Sequence, residues 1–88
     1  MTKLSLKIKV DRLLRLDNGA PLRAFADITV NGVFEVRRLA VLMGREGLFV
    51  SMPKSQNDDF KWYDIVRPLT PEARQIIEDA VLEAYGGE

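Results

Sequence analysis

With no histidine and no cysteine, the charged groups with which this sequence can do chemistry are carboxylates, guanidiniums and ammoniums. A thiol nucleophile, an imidazole base, a Ser-His-Asp triad and a Cys/His zinc site are therefore all excluded. Disulfides are excluded too, so nothing calls for an oxidising compartment. Among the acids, Asp58-Asp59 with Asp64 and Glu46 form the grouping that suggests a divalent cation or a hydrolytic pair. A calcium loop alternates its oxygen ligands at fixed steps and closes on a glutamate, which this spacing does not do. A hydrolytic dyad needs two acids held across a cleft, and the spacing alone does not place them so. Solvation of a loop is the simpler expectation, with a hydrolase using Asp58, Asp59 and Asp64 as a third-ranked reading. Gly44 and Gly47 are too closely spaced for a phosphate-binding loop and precede a strand, so they read as a turn. The expectation is a protein that is not an enzyme, with no cofactor, no metal and no small-molecule substrate.

The bases offer a different chemistry. Thirteen Lys and Arg balance thirteen Asp and Glu, yet they are unevenly spread. Residues 1–16 carry Lys3, Lys7, Lys9, Arg12 and Arg15 against Asp11 alone, while residues 70–88 carry Arg74 against Glu72, Glu78, Asp79, Glu83 and Glu88. Nucleic-acid binders usually show a basic patch, which a neutral chain must assemble by folding. Arg37-Arg38 is the notable pair, since neighbours on a strand point to opposite faces. Bases interleaved with Phe34, Phe49 or Trp62 suit backbone neutralisation with base stacking on single strands. The competing expectation is that these aromatics are core and that the arginines pair with Glu35 or Asp27.

The elements that must position these groups follow from periodicity. Leu4, Leu6, Ile8 and Val10 alternate with Lys3, Ser5, Lys7, Lys9 and Asp11, which predicts a half-buried strand with a cationic outer face. The alternation lapses at Leu13-Leu14, where a bulge or bend is expected. Asp17-Asn18-Gly19 and Pro21 predict a turn. A second strand spans Leu22 to Val30, with Leu22, Ala24, Ala26, Ile28 and Val30 on one face. Asn31-Gly32 is the type I′ hairpin signal. The third strand starts at Val33 and changes character at Arg38, continuing as the apolar run Leu39-Ala40-Val41-Leu42-Met43, which reads as covered on both faces, by a helix or by a partner subunit. Leu48 to Met52 is a fourth strand, Lys54 to Lys61 an exposed loop, and Trp62 to Val66 a fifth strand. Thr70 caps a final helix with Pro71 at its first position. Ala73, Ile76, Ile77, Ala80, Val81 and Ala84 form its apolar stripe; Arg74, Glu78, Asp79 and Glu83 lie off it and should be solvated. Gly86-Gly87 ends it after Tyr85.

The fold class is therefore α+β: a small bent antiparallel sheet of about five strands, built from hairpins, followed by one C-terminal helix. With 88 residues it forms one domain, residues 1–88. The longest apolar run is far short of the roughly 20 residues that span a bilayer, and the alternating start has no signal-peptide core. No membrane association and a cytoplasmic location are expected. One helix covers one sheet face. The apolar surface left over, at Phe25, Phe34, residues 39–43 and Trp62, calls for a strongly bent sheet or a second copy.

Several strings resemble the SpoVG (stage V sporulation protein G, septation regulator) family. They are Leu22-Arg23-Ala24-Phe25-Ala26-Asp27-Ile28-Thr29-Val30, Phe34-Glu35-Val36 and Gly47-Leu48-Phe49-Val50-Ser51-Met52-Pro53. Asp64-Ile65, Pro68 and the helix residues Arg74, Ile77, Asp79-Ala80-Val81-Leu82 and Tyr85 continue the likeness, so it covers about residues 8 to 85. The resemblance implies a small bacterial protein that dimerises through its sheet and binds DNA and RNA as a regulator of gene expression, cell division or sporulation-type processes. It implies that the third-strand region, here Leu39, Ala40, Val41, Leu42 and Met43, takes part in the dimer, with room for higher assembly. The loop after Met52-Pro53 in the family carries consecutive bases that meet the nucleic-acid backbone. Here Lys54 remains, Ser55 replaces the second base, and Asp58-Asp59 follow. The helix start, Thr70 to Gln75, is the other contact region and offers Arg74. The nucleic-acid-binding candidates are thus Lys54 and Arg74 from the resemblance, with Arg37, Arg38 and Lys61 from charge; Lys7, Lys9, Arg37 and Arg67 are available as substitutes. The alternative is a protein–protein interaction module that presents its acidic helix face or a sheet edge.

Overall fold

Alternating side chains and one tight turn build the first half of the molecule, whose computed structural model describes residues 5–16 and 19–86. Lys3, Leu4, Asp17, Asn18 and Gly87, to which the sequence assigns strand, turn and helix-stop roles, lie outside the described residues. Strand β1 (Ile8–Arg15) pairs antiparallel with β2 (Leu22–Val30), β2 with β3 (Phe34–Gly44) and β3 with β4 (Gly47–Ser51), giving the order β1-β2-β3-β4. β2 has the bounds its alternation predicts, and Ala24, Ala26, Ile28 and Val30 are buried. These four side chains share the core with Ile77 and Val81 of the helix.

Three irregularities set the register: one between Leu22 and Ala24 puts Leu22 in the outer-face groove instead of on the inner face expected of it, and the one in β1 is not where the sequence suggests. In β1 the irregularity falls between Val10 and Arg12, not at Leu13-Leu14. The extra residue, Asp11, accepts a hydrogen bond from Thr29 Oγ1 and restores Leu13 to the inner face. Leu14 is then left on the outer face, 52% exposed. In β3, Arg37 and Arg38 together oppose Asp27, between the pairs Ile28↔Val36 and Ala26↔Leu39. Arg38 takes a left-handed backbone with φ 67, and its amide donates to Asp27 Oδ1 at 3.0 Å. This bulge is the physical content of the change of character at Arg38. It allows Val36, Leu39 and Val41 all to face inward, which strict alternation forbids.

Asn31 (φ 52) and Gly32 (φ 69) both have the positive φ that a type I′ turn requires. Val33 joins the loop, donating to the Val30 carbonyl at 3.1 Å, so β3 starts at Phe34 rather than Val33. Asn31 also ties the turn to the chain before β1. Its amide donates to the Lys7 carbonyl at 2.8 Å and its Oδ1 accepts the Lys7 amide at 2.7 Å.

The stretch from Lys54 to Lys61 is not simply a loop. Lys54–Gln56 forms β5 and pairs with β6 (Trp62–Asp64) in a separate two-stranded sheet. The fifth strand of the sequence reading is thus β6, shorter than expected, and it pairs with β5 instead of joining the main sheet.

Helix α1 (Pro71–Gly86) crosses the inner face of the main sheet. Ile77 and Val81 enter the core beside Ile28, Leu39, Val41 and Val50. Its start is capped as expected: the Ala73 amide donates to Thr70 Oγ1 at 3.1 Å. Thr70→Ala removes that acceptor and should cost about 1 kcal/mol. Thermal unfolding followed by circular dichroism should register a drop of about 4–8 °C. At the other end Arg15 donates to the Tyr85 carbonyl, with its guanidinium 4.5 Å from the Tyr85 ring centre, which binds β1 to the last turn.

Candidate functional site

The helix does more than cover the sheet. β4 is an edge strand, so the N–H and C=O of Val50 point away from β3 and need partners. Glu78 Oε2 accepts the Val50 amide at 3.1 Å, and Arg74 Nη2 donates to the Val50 carbonyl at 3.0 Å. Two side chains one helical turn apart thereby complete the edge in place of a fifth strand. The expectation that Arg74 and Glu78 are simply solvated is corrected: both bond the Val50 backbone, Glu78 being partly buried and Arg74 exposed like Asp79 and Glu83. Glu78→Ala strands the Val50 amide and should cost about 1–3 kcal/mol in urea unfolding. Glu83→Ala, on the exposed face, should change stability by less than about 0.5 kcal/mol.

Arg74 is also one wall of a small cleft. Lys54 from the start of β5, Arg67 from the segment after β6, and Arg74 from α1 converge there, with Asp64, Ser51 and Phe49. The cleft holds about 140 Å³, well below the roughly 300 Å³ of a small-molecule site, so it is scaled to a single phosphate-like anion. Lys54 Nζ lies 4.0 Å from Asp64 Oδ1, both half-exposed. That contact orients the lysine and contributes little else. The β5–β6 register places Lys54 opposite Asp64, and the chain then needs only a few residues to bring Arg67 and Pro68 back toward the helix start. The cleft gathers Lys54 and Arg74, both expected, and adds Arg67, which the sequence offered only among substitutes.

The other candidates lie elsewhere. Arg37 and Arg38 border an open groove of about 790 Å³ on the outer sheet face, and Lys54 reaches its edge. The bulge overrides the expected alternation, so both arginines stand on this side. Arg37 Nε donates to Glu35 Oε1 at 2.8 Å, and the same carboxylate holds the Arg37 guanidinium above its usual range. The Arg38 guanidinium lies 5.4 Å from the Phe25 ring centre. Lys61 is exposed at the turn between β5 and β6.

The apolar run divides by face. Leu39 and Val41 have no exposed surface in the single chain, so their side chains have none to offer a second copy. Ala40 and Leu42 line the outer groove with Leu22 and Phe25, and Met43 is 42% exposed. Phe34 and Trp62 are exposed as well, so the sheet does not curl over them.

Asp58 and Asp59 sit at the exposed β5–β6 turn and Asp64 at the strand base. Among the described residues no three His, Cys, Asp or Glu side chains gather as a metal site, and no helix is long and apolar enough to cross a membrane.

A family model described as SpoVG matches residues 5–87. Similar curated proteins are named as SpoVG septation proteins. One from Bdellovibrio bacteriovorus is 45% identical over 71 residues, covering 81% of this chain and 66% of the relative. One from Symbiobacterium thermophilum is 42% identical over 80 residues, covering 91% of this chain and 57% of the relative. A third, from Listeria monocytogenes, is 38% identical over 74 residues, covering 84% and 72%. The match thus spans less than two thirds of the length of the first two.

Proposed function

We propose, on the premise that this chain belongs to the SpoVG family, that it is a homodimeric, non-enzymatic regulator that binds nucleic acid in the cytoplasm. The relatives' names connect the family with septation. The observation that carries the nucleic-acid reading is the convergence of Lys54, Arg67 and Arg74 on one cleft. Asp64 balances one of the three cations, lying 4.0 Å from Lys54, and the remaining positive charge suits a phosphate group.

Phe49, 41% exposed at the same cleft, offers a face on which an unpaired base can stack beside a bound phosphate. Single strands, RNA or DNA, are therefore the favoured ligand, with duplex held by phosphate contacts alone. Dimerisation is supported by the outer face of the sheet, where Leu22, Phe25, Ala40 and Leu42, walled by Trp62 and Ile65, line an open and largely apolar groove.

The test is filter binding of a labelled single-stranded RNA to the protein and to the double variant Lys54→Glu, Arg67→Glu. Binding that the variant loses supports the reading. A folded protein that retains no polyanion at low salt overturns it and favours the interaction-module alternative.

A further inference from the structure

The β5–β6 hairpin presents an aromatic ring beside the basic cleft. Its register pairs Lys54 with Asp64 and Gln56 with Trp62. Paired residues of an antiparallel ribbon share a face, and so do residues two apart along one strand. Lys54 and Trp62 therefore stand on one side of the hairpin, as diagonal neighbours about 7–8 Å apart at the backbone. Both border the outer groove, and Lys54 also borders the cleft together with Phe49. One lysine is thus shared by two cavities, each with an exposed aromatic ring in its lining: Phe49 is 41% exposed and Trp62 66%.

The turn fixes this arrangement. Asn57 Oδ1 accepts the amides of Asp59 at 2.9 Å and Lys61 at 3.0 Å. The Phe60 amide donates to the Asn57 carbonyl at 3.0 Å, and Gln56 Nε2 donates to the Phe60 carbonyl at 3.0 Å. Trp62 is held through its backbone and open at its side chain, which suits a stacking platform that loses little freedom when a base arrives.

We infer that Trp62 is a second stacking platform of the nucleic-acid site: a single strand crosses Lys54 with a phosphate in the cleft, one flanking base on Phe49 and the other on Trp62. The inference rests on the cleft reading above and adds the direction in which the strand leaves the cleft. Two features select a single strand as the occupant. The step from Lys54 to Trp62 is about one nucleotide of an extended strand, whose bases are free to stack on side chains as those of a duplex are not. Charge also changes sign along the hairpin. At its base Lys54, Arg67 and Arg74 outnumber Asp64, whereas at the turn Asp58 and Asp59 outnumber Lys61, so the track stops at the turn. Trp62 walls the groove, and the dimer reading uses the floor of Leu22, Phe25, Ala40 and Leu42.

Trp62 is the sole tryptophan, so its emission reports the platform directly. The full chain is titrated with an oligouridylate and with an abasic strand of the same length. Acrylamide should quench the free protein, the oligouridylate should quench Trp62 as it binds, and the abasic strand should bind without doing so. Trp62→Ala, at an exposed position, should leave the circular dichroism unchanged and weaken oligouridylate binding about tenfold. The salt slope should stay the same, because stacking releases no counterions, and Trp62→Phe should recover most of the loss. A folded protein that binds neither strand overturns the cleft and the platform together. Oligouridylate binding that leaves Trp62 emission unaltered, or that ignores Trp62→Ala, overturns the platform alone. So does an emission that acrylamide cannot quench in the free protein, which would place Trp62 under a second copy.

Discussion

Lys54→Glu combined with Arg67→Glu is expected to weaken binding of single-stranded RNA on the order of 100-fold at about 50 mM salt. Hydrogen bonds to charged groups contribute about 1.5–3 kcal/mol each, and the cleft loses two of its three cations. Taking the low end for each, and about 1.4 kcal/mol per tenfold in affinity, gives that loss. The fold should persist, because both side chains are exposed and the Lys54–Asp64 contact contributes little. The salt dependence should also flatten. A site with three phosphate contacts on a single strand gives a log–log slope of about −2, and one contact gives about −0.7. Arg74 is left out of this variant deliberately, because its bond to the Val50 carbonyl mixes a structural loss with an electrostatic one.

Leu39→Ala is expected to cost about 2–5 kcal/mol. Its side chain has no exposed surface and lies among Ala26, Val41, Val50 and the helix residues Ile77 and Val81. A domain of this size has a total stability of roughly 4–13 kcal/mol, so one truncation removes a large fraction of it. Thermal unfolding should shift down by at least about 10 °C. Leu42→Ala, one turn of the alternation away on the groove face, should instead act through association. Its effect on stability should grow with protein concentration, because only the assembled form gains from that surface. A loss below about 1 kcal/mol for Leu39→Ala would place that side chain outside the core and contradict the inward assignment.

Fold and site were legible to different depths, and the difference is local against long-range. β2 was legible from Ala24 to Val30 because its alternating residues there share one job, packing small or branched groups into the core; Leu22, placed on the same face by alternation, lies in the outer groove past a register shift. The Asn31-Gly32 turn and the Thr70 cap were legible because they are fixed within four residues by backbone geometry. The bulge at Arg38 was not, since a positive φ at arginine has no sequence signature. Its cause is Asp27, eleven residues away, which accepts the Arg38 amide. Strand β5 was hidden because Lys54-Ser55-Gln56 has no apolar alternation; only the partner strand defines it. The Val50 latch joins residues 24 and 28 apart, and no periodicity in the helix announces it. Arg67 entered the cleft for the same reason, placed by the return of the chain from β6. The signal that could have found it is Arg67-Pro68 just ahead of the helix cap, which forces a base to lie near the helix start.

The Lys54, Arg67 and Arg74 cleft is expected to bind nucleic-acid phosphate. The most direct measurement is fluorescence anisotropy of labelled single-stranded RNA and of duplex DNA, titrated with the folded protein at about 50 and 200 mM salt. Saturable binding to both is expected, tighter for the single strand. With three contacts per site, single-strand affinity should fall about 20-fold between the two salts. No saturable binding at the lower salt, or binding equally strong at both, would contradict it.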